Sequence, residues 1–109
     1  MASLAARGDD GPPLSQAGAR GRELADENGC LVCHGSAGQG GVGPAWTGLA
    51  GSRVELDDGT VVIADDEYLR RSITDPGAQQ VAGYAVSMPP NSPGPSDVDA
   101  IIAYMKDLR

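Results

Sequence analysis

Phenylalanine is absent, and aromatic side chains of any kind are scarce: Trp46, Tyr68, Tyr84 and Tyr104. A chain of 109 residues is one domain's worth, and a domain that small buries proportionately little surface. Side chains alone would give it a thin core, and a large apolar cofactor inside would resolve the difficulty. Lysine is nearly missing too. Lys106 stands alone in a chain of net charge −7, which excludes the basic stripe that nucleic-acid binding needs. No apolar run reaches transmembrane length, and residues 1–10 (Met-Ala-Ser-Leu-Ala-Ala-Arg-Gly-Asp-Asp) have no signal-peptide pattern. Histidine occurs once, at position 34, and cysteine twice.

What is abundant is glycine and proline, 16 and 8 residues, which predicts a loop-rich fold with short regular elements. Residues 1–14 read as a flexible arm or linker and residues 15–109 as the domain. Ser15 is a candidate cap for a helix to about Asn28, marked by Ala17, Leu24 and Ala25 and interrupted by Gly18 and Gly21. A Gly-rich loop with Pro44 and Trp46 occupies residues 35–52. Across 53–63, Val54 and Leu56 alternate with Arg53, Glu55 and Asp57. Asp58-Gly59 then turns the chain, and Val61 and Ile63 alternate with Thr60 and Val62. That pattern predicts a small β-hairpin inserted in a mainly helical domain. Asp65 or Asp66 caps a helix to about Thr74, stopped by Asp75-Pro76. After a second loop over 76–95, Ser96 and Asp99 form a capping-box pattern. Val98, Ile101, Ile102, Met105 and Leu108 follow at helical spacing.

The chemistry is concentrated in Cys30-Leu31-Val32-Cys33-His34, the pattern for covalent attachment of a c-type haem. Two thiols at this spacing add across the two vinyl groups on one porphyrin edge, and the adjacent His presents its imidazole to the iron. A thiol redox switch would favour a βαβ context, which does not precede Cys30. A closed zinc site would need four ligands, and no second Cys/His cluster exists. A structural disulfide is the third alternative. The lone His rules out a second histidine ligand from within the chain. Of the methionines, Met1 lies in the arm and Met105 falls on the apolar face of the last helix. Met88 lies in a proline-stiffened loop and is the favoured sixth ligand. A neutral thioether favours ferrous over ferric iron and raises the reduction potential. Gly38-Gln39-Gly40-Gly41-Val42-Gly43 fits G-x-G-x-x-G literally, but it lacks the preceding strand and following helix of a dinucleotide site. Its glycines either let backbone approach the haem edge or make a merely flexible loop.

These residues together resemble a class I cytochrome c: Cys30 to His34, Gly43-Pro44, Met88-Pro89-Pro90, and a closing helix with Ile102-Ala103-Tyr104-Met105. The resemblance implies a mainly α fold around one covalent haem c. Cys30 and Cys33 would be the attachment points, His34 and Met88 the axial ligands, and the Pro44 carbonyl would orient His34. It also implies that the first and last helices cross. The family places an aromatic where Ala25 stands, so either Tyr104 is expected to fill more of that crossing or another residue substitutes. Trp46 either donates its indole N–H to a propionate or packs as a plain ring; Tyr84 either lines the haem pocket or packs. The acidic run Asp65-Asp66-Glu67 reads as a solvated helix start.

A closer similarity is to the cytochrome c domain fused to subunit II of caa-type haem-copper oxidases. It rests on Glu23 through Cys30, Gly48 through Ser52, the hairpin through Asp58-Gly59-Thr60, Glu67 through Arg70, and Asp75 through Ala78. That similarity implies a one-electron carrier, not an enzyme by itself. It would take electrons from a donor cytochrome or quinol-oxidising complex and pass them to the dinuclear copper centre of the oxidase. The domain would be monomeric, on the periplasmic or outer face of the membrane, and cut from a membrane-anchored parent. A free periplasmic cytochrome c is the alternative, and a haem sensor or peroxidase-like enzyme a third. With so few lysines, docking is expected through a small apolar patch at the haem edge.

Overall fold

A computed structural model of the chain describes residues 13–89 and 93–109. The greater part of the arm at 1–12, Met1 included, and Pro90 of the Met-Pro-Pro run lie outside the described residues. Four helices and one hairpin follow in order: α1 (Gln16–Glu27), α2 (Cys30–His34), β1 (Arg53–Glu55), β2 (Val61–Ile63), α3 (Asp66–Thr74) and α4 (Pro95–Asp107). The architecture is the expected mainly α fold with a small antiparallel hairpin. Among the described residues no helix is long and apolar enough to cross a membrane.

Local chemistry accounts for most of the boundaries. The Ser15 hydroxyl accepts the Gly18 N–H at 2.9 Å and caps α1. The Asp65 carboxylate accepts the Tyr68 N–H at 2.9 Å and caps α3. The last helix departs from expectation. It starts at Pro95 with Gly94 as its cap residue and no side-chain cap, so the Ser96/Asp99 capping box does not form. Proline explains the shift: its fixed φ suits the first helical position, and its missing N–H would have had no partner there.

α1 and α4 form the main helix pair, packing over Leu24, Ala25, Val98, Ile101, Tyr104 and Met105, all buried. Gly21 makes this possible. A Cβ built there would lie 1.8 Å from the Ala100 carbonyl oxygen, so the backbones touch where the sequence showed only an interruption. Ala25 is completely buried and Tyr104 is 2% exposed in the same cluster, in line with a tyrosine filling space beside a small residue. The start of α1 and the end of α4 are tied as well. Asp107 Oδ2 accepts from the Ser15 N–H at 2.8 Å and from its hydroxyl at 2.7 Å. Leu14, the last residue of the expected arm, packs partly buried against the core.

In the hairpin, Arg53 pairs with Ile63, Val54 with Val62 and Glu55 with Val61. Val54 and Leu56 turn inward. On β2, Val62 is the half-buried residue, while Val61 and Ile63 are 47% and 49% exposed. Register decides this, because Val62 is the residue paired with inward-facing Val54.

Candidate functional site

α2 carries both thiols and the imidazole. Gly29 precedes it with φ +77°, a left-handed conformation that separates it from α1, and Gly35 ends it. Cys30 is buried and Cys33 half-buried, and the two are not joined in a disulfide. Burial pushes the Cys30 thiol above its ordinary value, so it stays protonated and is unlike the low-pKa thiolate of a redox switch.

His34 is fixed from several sides. Its Nδ1 lies 2.7 Å from the Pro44 carbonyl. A carbonyl only accepts, so Nδ1 carries the proton and Nε2 keeps its lone pair. Trp46, 3% exposed, stacks on the imidazole with centroids 4.9 Å apart and planes at 27°. Tyr104 meets Trp46 edge-on at 5.9 Å, so α4 supports the imidazole through the indole. Gly43 packs on the ring from its own loop: a Cβ there would lie 3.0 Å from His34 Cε1, so any side chain would press on the imidazole. Desolvation lowers the His34 pKa, partly opposed by the bond to Pro44, and keeps the ring neutral. A neutral, oriented imidazole with one free nitrogen is the form that binds a metal.

These residues face a cavity of about 420 Å³, within the range of cofactor sites. Cys30, Cys33, His34, Pro44, Trp46, Tyr84 and Met88 all line it, so one space gathers every residue singled out from the sequence. Met88 is half-buried, and Met105, buried on α4, also reaches the wall. Among the described residues no cluster of three or more His, Cys, Asp or Glu could hold a metal ion, which leaves the single imidazole and the sulfurs as donors. Such a donor set, beside paired thiols and a mostly apolar wall, fits a haem and does not fit a free ion.

Sequence reasoning did not assign several wall residues to the site: Leu49, Val54, Tyr68 and Leu69, and Arg53, the one Lys or Arg among the described residues of the cavity wall. An exposed arginine at a strand start carries no signal of its own. The Gly43 contact was foreshadowed by the glycine run, but only the folded loop shows that the surface approached is the His34 ring.

The family model for cytochrome c matches residues 18–109. The chain therefore belongs to the cytochrome c family, electron-transfer modules that bind a covalent haem c. No curated protein matches the chain at a significant level.

Proposed function

We propose that Cys30 and Cys33 hold the haem c through two thioethers. His34 Nε2 and the Met88 sulfur would be the axial ligands, and the chain would serve as the electron-entry domain of a haem-copper terminal oxidase. The observation that carries the ligand assignment is the shared cavity, with an imidazole whose Nδ1–H is committed to Pro44 on its wall and the loop methionine on the same wall. When bound, the haem supplies a one-electron iron couple. The residues do the rest. Pro44, Trp46 and Gly43 hold the imidazole in one orientation. Met88 offers a neutral sulfur that favours the reduced state. With His34 and Met88 both holding the iron, no site would remain for oxygen or substrate, which favours electron transfer over catalysis.

The oxidase role is supported by the resemblance of several residue runs, the hairpin among them, to caa-type subunit II domains. The surface supports docking by apolar contact. Lys106, the sole lysine, is engaged with Asp66 at 2.8 Å. Val42 and Val86, 53% and 58% exposed, stand on the cavity wall, and Val32 in the haem motif is 85% exposed. Partners would then be a donor cytochrome or quinol-oxidising complex and the dinuclear copper centre, on the outer face of the membrane. A linker to that centre would raise the local concentration of the domain and make strong docking contacts unnecessary.

Sequencing the parent gene tests the oxidase role. Transmembrane helices and a copper-binding cupredoxin domain upstream are expected. A signal peptide directly before this domain would replace the tethered reading with a free periplasmic shuttle. Spectra of the ferric protein with and without cyanide test the ligand set. A ferric haem that binds cyanide at once, as an open iron would, points to a sensor or peroxidase-like protein.

A further inference from the structure

β1 is the middle of three extended segments. One edge pairs with β2, and the other, where the strand runs on from Glu55 through Leu56 and Asp57, takes residues 80–82 from the loop that leads to Met88. The Asp57 N–H donates to the Gln80 carbonyl at 2.8 Å, and the Ala82 N–H donates to the Glu55 carbonyl at 3.0 Å, on either side of the Leu56–Val81 bridge. The Gln80 side chain then reaches forward, its Nε2 donating to the Tyr84 carbonyl at 3.0 Å. Beyond that point, among the described residues, no backbone–backbone hydrogen bond involves residues 85–89. Met88 thus stands four residues past the last anchored point of its loop. Leu56, 4% exposed, and Val54, 7% exposed, root the anchor in the core.

We propose that the hairpin is a brace for the methionine loop: by pairing β1 with residues 80–82 it holds Met88 in reach of the cavity and sets how readily that sulfur leaves the iron. The inference rests on the reading of Met88 as the axial ligand. Its logic is a population argument. An external ligand binds only when the loop is open, so its apparent affinity scales with the open fraction. Residues 80–84 are the positioning segment and Met88 the ligand. The hairpin acts through the backbone, so its free edge and exposed Val61 and Ile63 are not needed for this role.

The experiment uses the ferric, haem-loaded protein and follows imidazole binding by absorbance. Ala82→Pro removes the N–H donated to Glu55, and Gln80→Ala removes the tie to Tyr84. Loss of one such bond should tighten apparent imidazole binding by roughly tenfold in Ala82→Pro and several-fold in Gln80→Ala. Asp107→Ala, which loosens the α1–α4 end of the molecule, serves as the control and should leave imidazole affinity at the parental value. If Ala82→Pro does not fold, Gln80→Ala decides alone. Parental imidazole affinity in the braced-loop variants, while Met88→Ala opens the iron, would overturn the brace and leave the ligand assignment standing. If Met88→Ala itself changes neither spectrum nor imidazole affinity, the ligand assignment falls and the brace with it.

Discussion

The His34 side of the cavity and the Met88 side are built by different means. His34 sits on a helix, its Nδ1 bonded to Pro44, its face covered by Trp46, and Trp46 backed by Tyr104 of α4. Behind it lies the α1–α4 crossing, where most side chains are buried to within a few per cent. Met88, itself half-buried, follows three exposed residues on a loop whose last hydrogen-bonded residues, among those described, are 80–84. One side is held by a ring stack and a hydrogen bond backed by the buried core, the other by a short ladder of backbone bonds. Local opening follows the density of buried contacts, so the proximal side should unfold only with the whole domain and the distal side well before it.

The largest expected effect comes from breaking the packed side. Gly21→Leu forces a side chain into the Ala100 carbonyl, backbone that cannot move aside. It should cost about 3 kcal/mol or more, with melting lowered by more than ~10 °C in circular dichroism. An unchanged melting temperature would show that the helices do not cross at that point.

A smaller effect belongs to the same side at alkaline pH. Burial pushes the Tyr104 phenol above its ordinary value, opposed in part by the Arg22 charge. The folded protein therefore keeps this proton after the unfolded chain has lost it. Stability from this group is intact below about pH 10 and declines as pH rises from there through the folded-state value. Tyr104→Phe should flatten that decline in thermal melts across the alkaline range; an identical pH profile would mean the phenol is not buried in solution.

The smallest effect is expected at the hairpin tip, where Asp58 accepts from the Thr60 hydroxyl at 2.6 Å and from its N–H at 3.0 Å. These bonds lower the Asp58 pKa. Thr60→Val should let it rise toward the ordinary carboxylate value in an NMR titration, with melting temperature and haem spectrum unmoved. A change in the spectrum would mean the tip, and not the β1 edge alone, communicates with the loop.

How much of this was legible beforehand follows the same division. Ser15 and Asp65 were readable because a cap is a bond between neighbours in sequence, and Asp58-Gly59 because a hairpin turn is local too. The Cys30–His34 motif was readable because its spacing is dictated by the group it serves. Gly21 was not, since a glycine that admits a facing backbone looks in sequence like any helix interruption. Pro95 displaced the expected start at Ser96 because a proline at the first helical position competes with a side-chain cap further on. The pairing of β1 with residues 80–82 was invisible for a different reason. It joins segments distant in the chain through backbone groups every residue has, and no side-chain pattern announces it. Of the candidate site, which residues share the cavity and the contact of Pro44 with His34 were legible, and the Trp46 stack on His34 and the backbone bonds of residues 80–82 were not.

Met88 and Met105 both stand on the cavity wall, and the proposed iron site would take only one of the two sulfurs. Potentiometry of haem-loaded Met88→Ala and Met105→Ala, alongside the parent, tests it most directly. Haem should stay attached in both, since Cys30 and Cys33 are untouched. Met88→Ala should lose the six-coordinate ferric spectrum and fall well below the parent in reduction potential. Met105→Ala should lower the melting temperature by creating a core cavity while keeping spectrum and potential near the parent's. The reverse pattern, a parental potential in Met88→Ala and a fall in Met105→Ala, would contradict the account.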